Sequence, residues 1–118
     1  MDGRSEWEFY YAAYDNPYIW DIHKAEIKRL VETINATGAR LIVVIFPNMV
    51  DPVASIPYVD RVEQAFAEFG VTEVLKLTDE AAAWALPERI VSHYDSHASV
   101  GFNHRVGQML YERFFAGE

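Results

Sequence analysis

The sequence has no cysteine, which excludes disulfides, thiol catalysis and cysteine-based zinc sites. It also has no apolar run that approaches the roughly 18 residues a membrane-spanning helix needs. The N-terminal stretch MDGRSEWEF lacks an apolar signal-peptide core, so the sequence leaves the compartment open. Positive charge is scarce, because ten basic against eighteen acidic residues give a formal charge of −8. This balance argues against a nucleic-acid partner, which would need a positive patch.

Apolar residues, in contrast, make up 51% of the chain, which is enough to build a folded core. The length of 118 residues predicts a single domain over 1–118. A short aromatic helix is predicted after Ser5, whose hydroxyl and the Glu8 carboxylate form a capping box. Further helices are predicted over residues 18–37, 57–69 and 99–115, with a short one near 79–86. In the helix over 18–37 the spacing predicts one buried face, made of Ile27, Leu30, Val31 and Ile34.

Two strands are predicted, over residues 41–46 and 71–77. The first is a continuous β-branched run, which indicates a strand covered on both faces, as in a parallel sheet. Strands that alternate with helices indicate parallel βαβ units and therefore an α/β fold. Two strands alone leave both sheet edges open and cannot cover so many apolar helix faces. The chain is therefore expected to be about half of an α/β sandwich, completed by something outside this sequence.

The stretch over residues 91–105, VSHYDSHASVGFNHR, holds His93, Asp95 and His97 at spacings of two residues. Ser99 follows as an N-cap for the last helix, since its hydroxyl can accept from a first-turn N–H. An acid beside an imidazole can act as a catalytic base with its orienting carboxylate. The same side chains could instead hold zinc or iron, or form an ordinary polar loop. From the residues alone these alternatives stay open.

Three stretches of the chain resemble the C-terminal half of the SGNH (GDSL-type) serine hydrolases: YYAAYDNPYIW, LIVVIFPNM and DSHASVGFNHRVGQMLYERF. The resemblance implies a three-layer α/β/α flavodoxin-like fold, here with about two parallel strands and four to five helices. It also implies hydrolysis of an acyl or acetyl ester of a small molecule, carbohydrate or lipid, without a cofactor.

Carried over to this sequence, the resemblance makes His97 the general base and Asp95 the residue that orients it. In many members of the family the acid lies three residues before the histidine, whereas Asp95 lies two before, and Ala98 stands where proline is common. Tyr94 and Trp84 are expected to line a substrate cleft near His97. The family's G-D-S-L-like nucleophile turn and its oxyanion glycine and asparagine are absent from this sequence. The chain is thus expected to supply the His/Asp part of a triad whose serine lies elsewhere.

Two other functions fit the residues. The first is a non-catalytic α/β module that pairs with a partner or with itself, because an open sheet edge invites strand addition or domain swapping. The second is a small metal-dependent enzyme that uses His93, Asp95 and His97. The aromatic cluster of residues 7–14 is expected to serve as core or as a helix-docking face, since aromatic rings dominate both.

Overall fold

The computed structural model describes residues 6–117, so the predicted capping role of Ser5 lies outside the described residues. The protein is mixed α/β and mainly helical. The elements follow in the order α1 (Glu6–Asp15), α2 (Pro17–Ala36), β1 (Val43–Ile45), α3 (Ile56–Glu68), β2 (Val74–Lys76), α4 (Thr78–Ala83), α5 (Leu86–Arg89), β3 (Ile90–Ser92), β4 (Asp95–Ala98) and α6 (Val100–Leu110). A 3-10 turn precedes α3, and a π-helical turn continues α6.

The predicted parallel pairing is confirmed: β1 and β2 run side by side with Val44 opposite Leu75. Alternate strand residues face opposite sides of this sheet. Ile45 and Val74 pack into one apolar cluster with α2 and α3, whereas Leu75 packs into a second cluster with α4 and α6. Helices therefore cover both faces of the strand pair, as the continuous apolar run indicated.

The buried face of α2 is narrower than the spacing predicted. Ile27 and Val31 are buried, but Leu30 is 51% exposed, so its predicted burial is wrong. Trp20, Ile27 and Val31 form the stripe that packs on the first cluster. Trp20, Ile27 and Val31 are spaced by seven and then four residues, which keeps them on one side of the helix. Leu30 lies to one side of this stripe and so stays partly in solvent.

A polar loop is one of the alternatives that the sequence leaves open for residues 91–98, and only two strands are predicted, neither of them here. The structure differs over residues 90–98. They form an antiparallel hairpin of β3 and β4, with Ser92 opposite Asp95 and a register shift between Ile90 and Ser92. The turn lacks the Asn-Gly or Asp-Gly pairs that mark a tight hairpin in a sequence. Its main local support is the Ser92 hydroxyl, which accepts from the N–H of Tyr94 at 3.2 Å.

Among residues 6–117, no helix is both long and apolar enough to cross a membrane.

Candidate functional site

Asp95 and His97 form a hydrogen-bonded pair on β4. The ring Nδ1 of His97 lies 2.6 Å from Oδ1 of Asp95, and the backbone N–H of His97 donates to the same oxygen at 3.0 Å. Residues two apart on a strand share one face, which is why a spacing of two brings this acid to this imidazole. A carboxylate at Nδ1 assigns the ring proton to that nitrogen, which leaves Nε2 as the proton acceptor.

The carboxylate of this pair is ionised at neutral pH. The backbone N–H of His97 holds the pKa of Asp95 below the ordinary aspartate value, and the His97 ring lowers it further. Hydrogen bonds to the charged form of a carboxyl favour that form. An ionised Asp95 can therefore both orient the imidazole and stabilise the imidazolium that forms on proton transfer.

Ser99 fixes the end of the strand that carries the pair. Its hydroxyl donates to the carbonyl of Glu88 at 2.6 Å and accepts from the N–H of Phe102 at 3.1 Å. The predicted N-cap of the last helix is confirmed by this second bond. Since Ser99 also donates its N–H to the carbonyl of Arg89 at 2.9 Å, β4 is tied to both α5 and α6.

His97 lies on the wall of an open cleft of about 550 Å³. The cleft is bordered by α1, the segment after β1, β4 and the first turn of α6, through Glu6, Trp7, Tyr10, Phe46, Pro47, Met49, Ser96, His97, Ala98 and Asn103. In open parallel α/β sheets, ligands bind beyond the carboxyl ends of the strands. The segment Phe46–Met49 follows the carboxyl end of β1, so His97 lies where this rule places chemistry.

Asn48, a residue without a predicted functional role, organises that segment. It is 5% exposed, and its Oδ1 accepts from the N–H groups of Val50 and Asp51 at 2.9 and 3.2 Å. Its Nδ2 donates to the hydroxyl of Tyr11 at 2.9 Å, which joins the segment to α1. The signal was present in the sequence, because a Pro-Asn pair soon after a strand favours a turn in which the asparagine side chain binds backbone N–H groups.

The two predicted cleft residues lie elsewhere. Tyr94 is 95% exposed at the hairpin turn, where its ring meets that of His93 edge-on at 5.1 Å. Trp84 packs edge-on against Phe102 at 5.3 Å, and its Nε1 donates to Glu80 at 3.1 Å. Neither is among the residues that line the cleft beside His97.

The metal alternative gains no support from the geometry. Within the part of the chain that the structure describes, no three His, Asp or Glu side chains converge to hold a metal ion. His93 lies in the turn against Tyr94, away from the bond that joins Asp95 to His97.

A nucleophile partner for His97 is not found within residues 6–117. The hydroxyls of Ser55, Ser92 and Ser99 are engaged with backbone groups. Ser96 lines the cleft, but the described contacts of the His97 ring include no serine hydroxyl.

Comparison of the chain with protein-family models, with curated proteins and with solved structures finds no match. The function must therefore be argued from the site.

Proposed function

We propose that this chain carries the histidine and aspartate of an SGNH-type serine ester hydrolase. The observation that supports the proposal is the 2.6 Å contact between His97 Nδ1 and Asp95 Oδ1, on the wall of a cleft beyond the carboxyl end of β1. A helix that begins at Val100, three residues after the histidine, and is capped by Ser99 is similar to the family's closing block.

The chemistry assigned to the pair is general base and then general acid catalysis. His97 Nε2 takes the proton of a serine hydroxyl as its oxygen attacks the ester carbonyl, and Asp95 stabilises the imidazolium. The proton then passes to the departing alcohol, which leaves an acyl group on the serine. A water molecule, deprotonated by the same imidazole, releases the acid and regenerates the serine.

The serine and the oxyanion donors are assigned to a part that this sequence does not contain. His97 is 92% exposed and Asp95 is 45% exposed, so water reaches both side chains freely. Electrostatic stabilisation of a tetrahedral intermediate is strong only where water is excluded. The exposed pair therefore lacks the dry environment that this chemistry needs. In the proposal, a covering part supplies both that environment and the missing groups.

The proposal also covers the fold, as part of a flavodoxin-like α/β/α sandwich. Helices on both faces of a parallel strand pair, joined through α3, are what one part of a flavodoxin-like α/β/α sandwich would contain. Further strands would add to the edge of β1 that faces away from β2.

The first test is the tautomer of His97, read from long-range proton–nitrogen NMR correlations near neutral pH. We expect the Nδ1–H form at His97 and its loss in Asp95→Asn. His23, His93 and His104 serve as internal controls in the same spectra. If His97 has the same tautomer balance as these three histidines, the pair is not poised for catalysis.

The second test is fluorophosphonate labelling of the purified chain together with p-nitrophenyl acetate turnover, with His97→Ala as the control. We expect no labelling of the folded chain, since the nucleophile is assigned elsewhere. Labelling that disappears in His97→Ala would show that a serine of this chain is activated, with Ser96 the first to examine, and would overturn the division of the site.

A second candidate is the non-catalytic pairing module, and it rests on one observation. In the described residues β1 pairs only with β2, which leaves its other edge open beside Phe46, a side chain that is 43% exposed. The molar mass in solution, measured by light scattering, tests it. A stable dimer whose His97 shows no tautomer preference would favour this function over hydrolysis.

A further inference from the structure

A second cavity, of about 330 Å³, adjoins the cleft of His97 and is walled mainly by aromatic rings. Its lining comes from α1, β1 and the segment after it, and α3: Trp7, Tyr10, Tyr11, Tyr14, Ile45, Phe46, Pro47, Asn48, Ser55, Tyr58, Val59 and Val62. For comparison, an apolar cavity of about 150 Å³ is large enough to bind benzene. This cavity therefore has room for a ring together with a short linking chain.

Two of the tyrosine hydroxyls around the cavity, those of Tyr11 and Tyr58, are already engaged. Tyr11 accepts from Asn48 Nδ2 at 2.9 Å, and Tyr58 donates to Asp15 Oδ2 at 2.9 Å. Burial raises the pKa of Tyr58, and its bond to Asp15 raises it further, so the phenol stays neutral. The rings of Tyr11 and Tyr58 stack at 4.4 Å, nearly parallel. What these two residues offer a ligand is thus their ring surface.

The cavity and the cleft are neighbours, because Trp7, Tyr10, Phe46 and Pro47 line both. The inference takes one molecule to extend from the first space into the second. An ester with its carbonyl beside His97 would direct its acyl group past Phe46 toward the stacked tyrosines.

The uncharged lining of the cavity favours a neutral ligand. None of the described residues that line it is charged, so a charged group inside would lose its hydration without gaining a partner. The net charge of −8 further disfavours an anion. Aromatic walls favour a ring that can meet them edge to face or offset, beyond what apolar area alone provides.

We propose that this cavity binds the aryl or arylalkyl acyl group of a neutral ester. The inference rests on the proposed function for the meaning of the bound group, but binding itself does not depend on catalysis.

The experiment measures binding of methyl phenylacetate to the full chain by NMR of the tyrosine ring signals. We expect saturable shifts at Tyr11, Tyr14 and Tyr58, and no such shifts with methyl acetate, which lacks the ring. Methyl cyclohexylacetate, of similar size but saturated, should bind about threefold or more weakly, because it loses the ring–ring term. Equal binding of the saturated ester would overturn the assignment to an aryl group.

Variants locate the binding. Val62→Phe places a ring inside the cavity and should weaken binding by about tenfold, which corresponds to a change of about 1.4 kcal/mol. Val53→Phe is the matched control, because Val53 is 62% exposed and does not line the cavity. Should Val62→Phe fail to fold, Trp7→Ala removes a wall from α1, a helix that buries no residue. Unchanged binding in the folded variants would contradict the site.

Two measurements on the wild-type chain, the tautomer of His97 and the binding of methyl phenylacetate, separate the two proposals. His97 does not line the aromatic cavity, so neither result depends on the other. Saturable binding without the His97 tautomer preference would support the proposed aryl site and contradict the proposed hydrolase function. The tautomer preference without saturable binding would remove only the cavity.

Discussion

Arg89 and His97 lie eight residues apart, yet their environments are opposite. Arg89 is 7% exposed, and its guanidinium donates to four backbone carbonyls. Two of these follow β1, those of Met49 at 2.7 Å and Val50 at 3.0 Å. The other two belong to Ala81 and Trp84, at the end of α4. His97, in contrast, is 92% exposed, and its side-chain partner is only two residues away.

The comparison shows that Arg89 stabilises the fold, whereas His97 is exposed and makes only a local contact. The carbonyls that bind Arg89 include those of Ala81, in the last turn of α4, and Trp84, the residue after it, where helix carbonyls run out of partners within the helix. Their loss would affect two distant segments together. The bond of His97 is local and solvated, so removing it disturbs no other segment. The fold therefore does not depend on the contact between His97 and Asp95 in the way that it depends on Arg89.

Arg89→Met should have the largest effect on stability. It keeps most of the side-chain volume but removes every donor, so four buried or partly buried carbonyls each lose a hydrogen bond. We expect the free energy of unfolding to fall by at least about 3 kcal/mol, measured by urea denaturation.

Arg29→Met is the matched control, because the Arg29 side chain is 75% exposed and its ion pair with Glu26 spans 3.8 Å. This control should change the unfolding free energy by less than about 0.5 kcal/mol. Equal effects of the two substitutions would show that the buried arginine does not hold the segments together.

Ser99→Ala should have an intermediate effect, since Ser99 lies between the two environments. It removes the cap of α6 and the bond to Glu88, at an expected cost of about 1–2 kcal/mol. Ser96→Ala, in the adjacent exposed strand, is the control and should be close to neutral. A Ser99→Ala protein as stable as the Ser96→Ala protein would mean that the hairpin is anchored by other contacts.

The smallest effect is expected on the pKa of Asp95 in His97→Ala, because the main cause of its lowered pKa is the backbone N–H of residue 97. His97→Ala removes the ring but keeps the N–H that donates to Oδ1, so the pKa should rise only part of the way toward the ordinary value near 4. Carbon-detected NMR titration measures it, with Ser96→Ala expected to match the wild type. A pKa in His97→Ala at the full ordinary value would show that the ring alone lowers it.

The sign of the pH dependence follows from the direction of this shift. A carboxyl whose pKa is lowered in the folded state stabilises the protein above its unfolded value, and this contribution is lost as pH falls through the folded pKa. The hydrogen bond of the pair should therefore be intact at neutral pH and break only in acid, below the usual aspartate range.

Several features followed from the sequence because their causes are local or periodic. The β-branched run around Val44 indicated a strand covered on both faces, and β1 contacts an apolar cluster on each side. Ser99 indicated a cap from its position before an apolar helix, and the cap is present. The spacing of Asp95 and His97 indicated that they could meet, and on a strand they do.

Other features were decided only by the tertiary structure, because their partners are distant in the chain. Nothing near Arg89 in the sequence shows that carbonyls eight and forty residues away converge on it. The hairpin of β3 and β4 is tied to α5 through the bonds of Ser99 to Glu88 and Arg89, and its turn lacks the residues that mark a tight hairpin in a sequence. The aromatic cavity exists because Tyr11 and Tyr58, from separate helices, stack on each other. Periodicity shows which side of an element is apolar, but it does not show which apolar sides enclose a space.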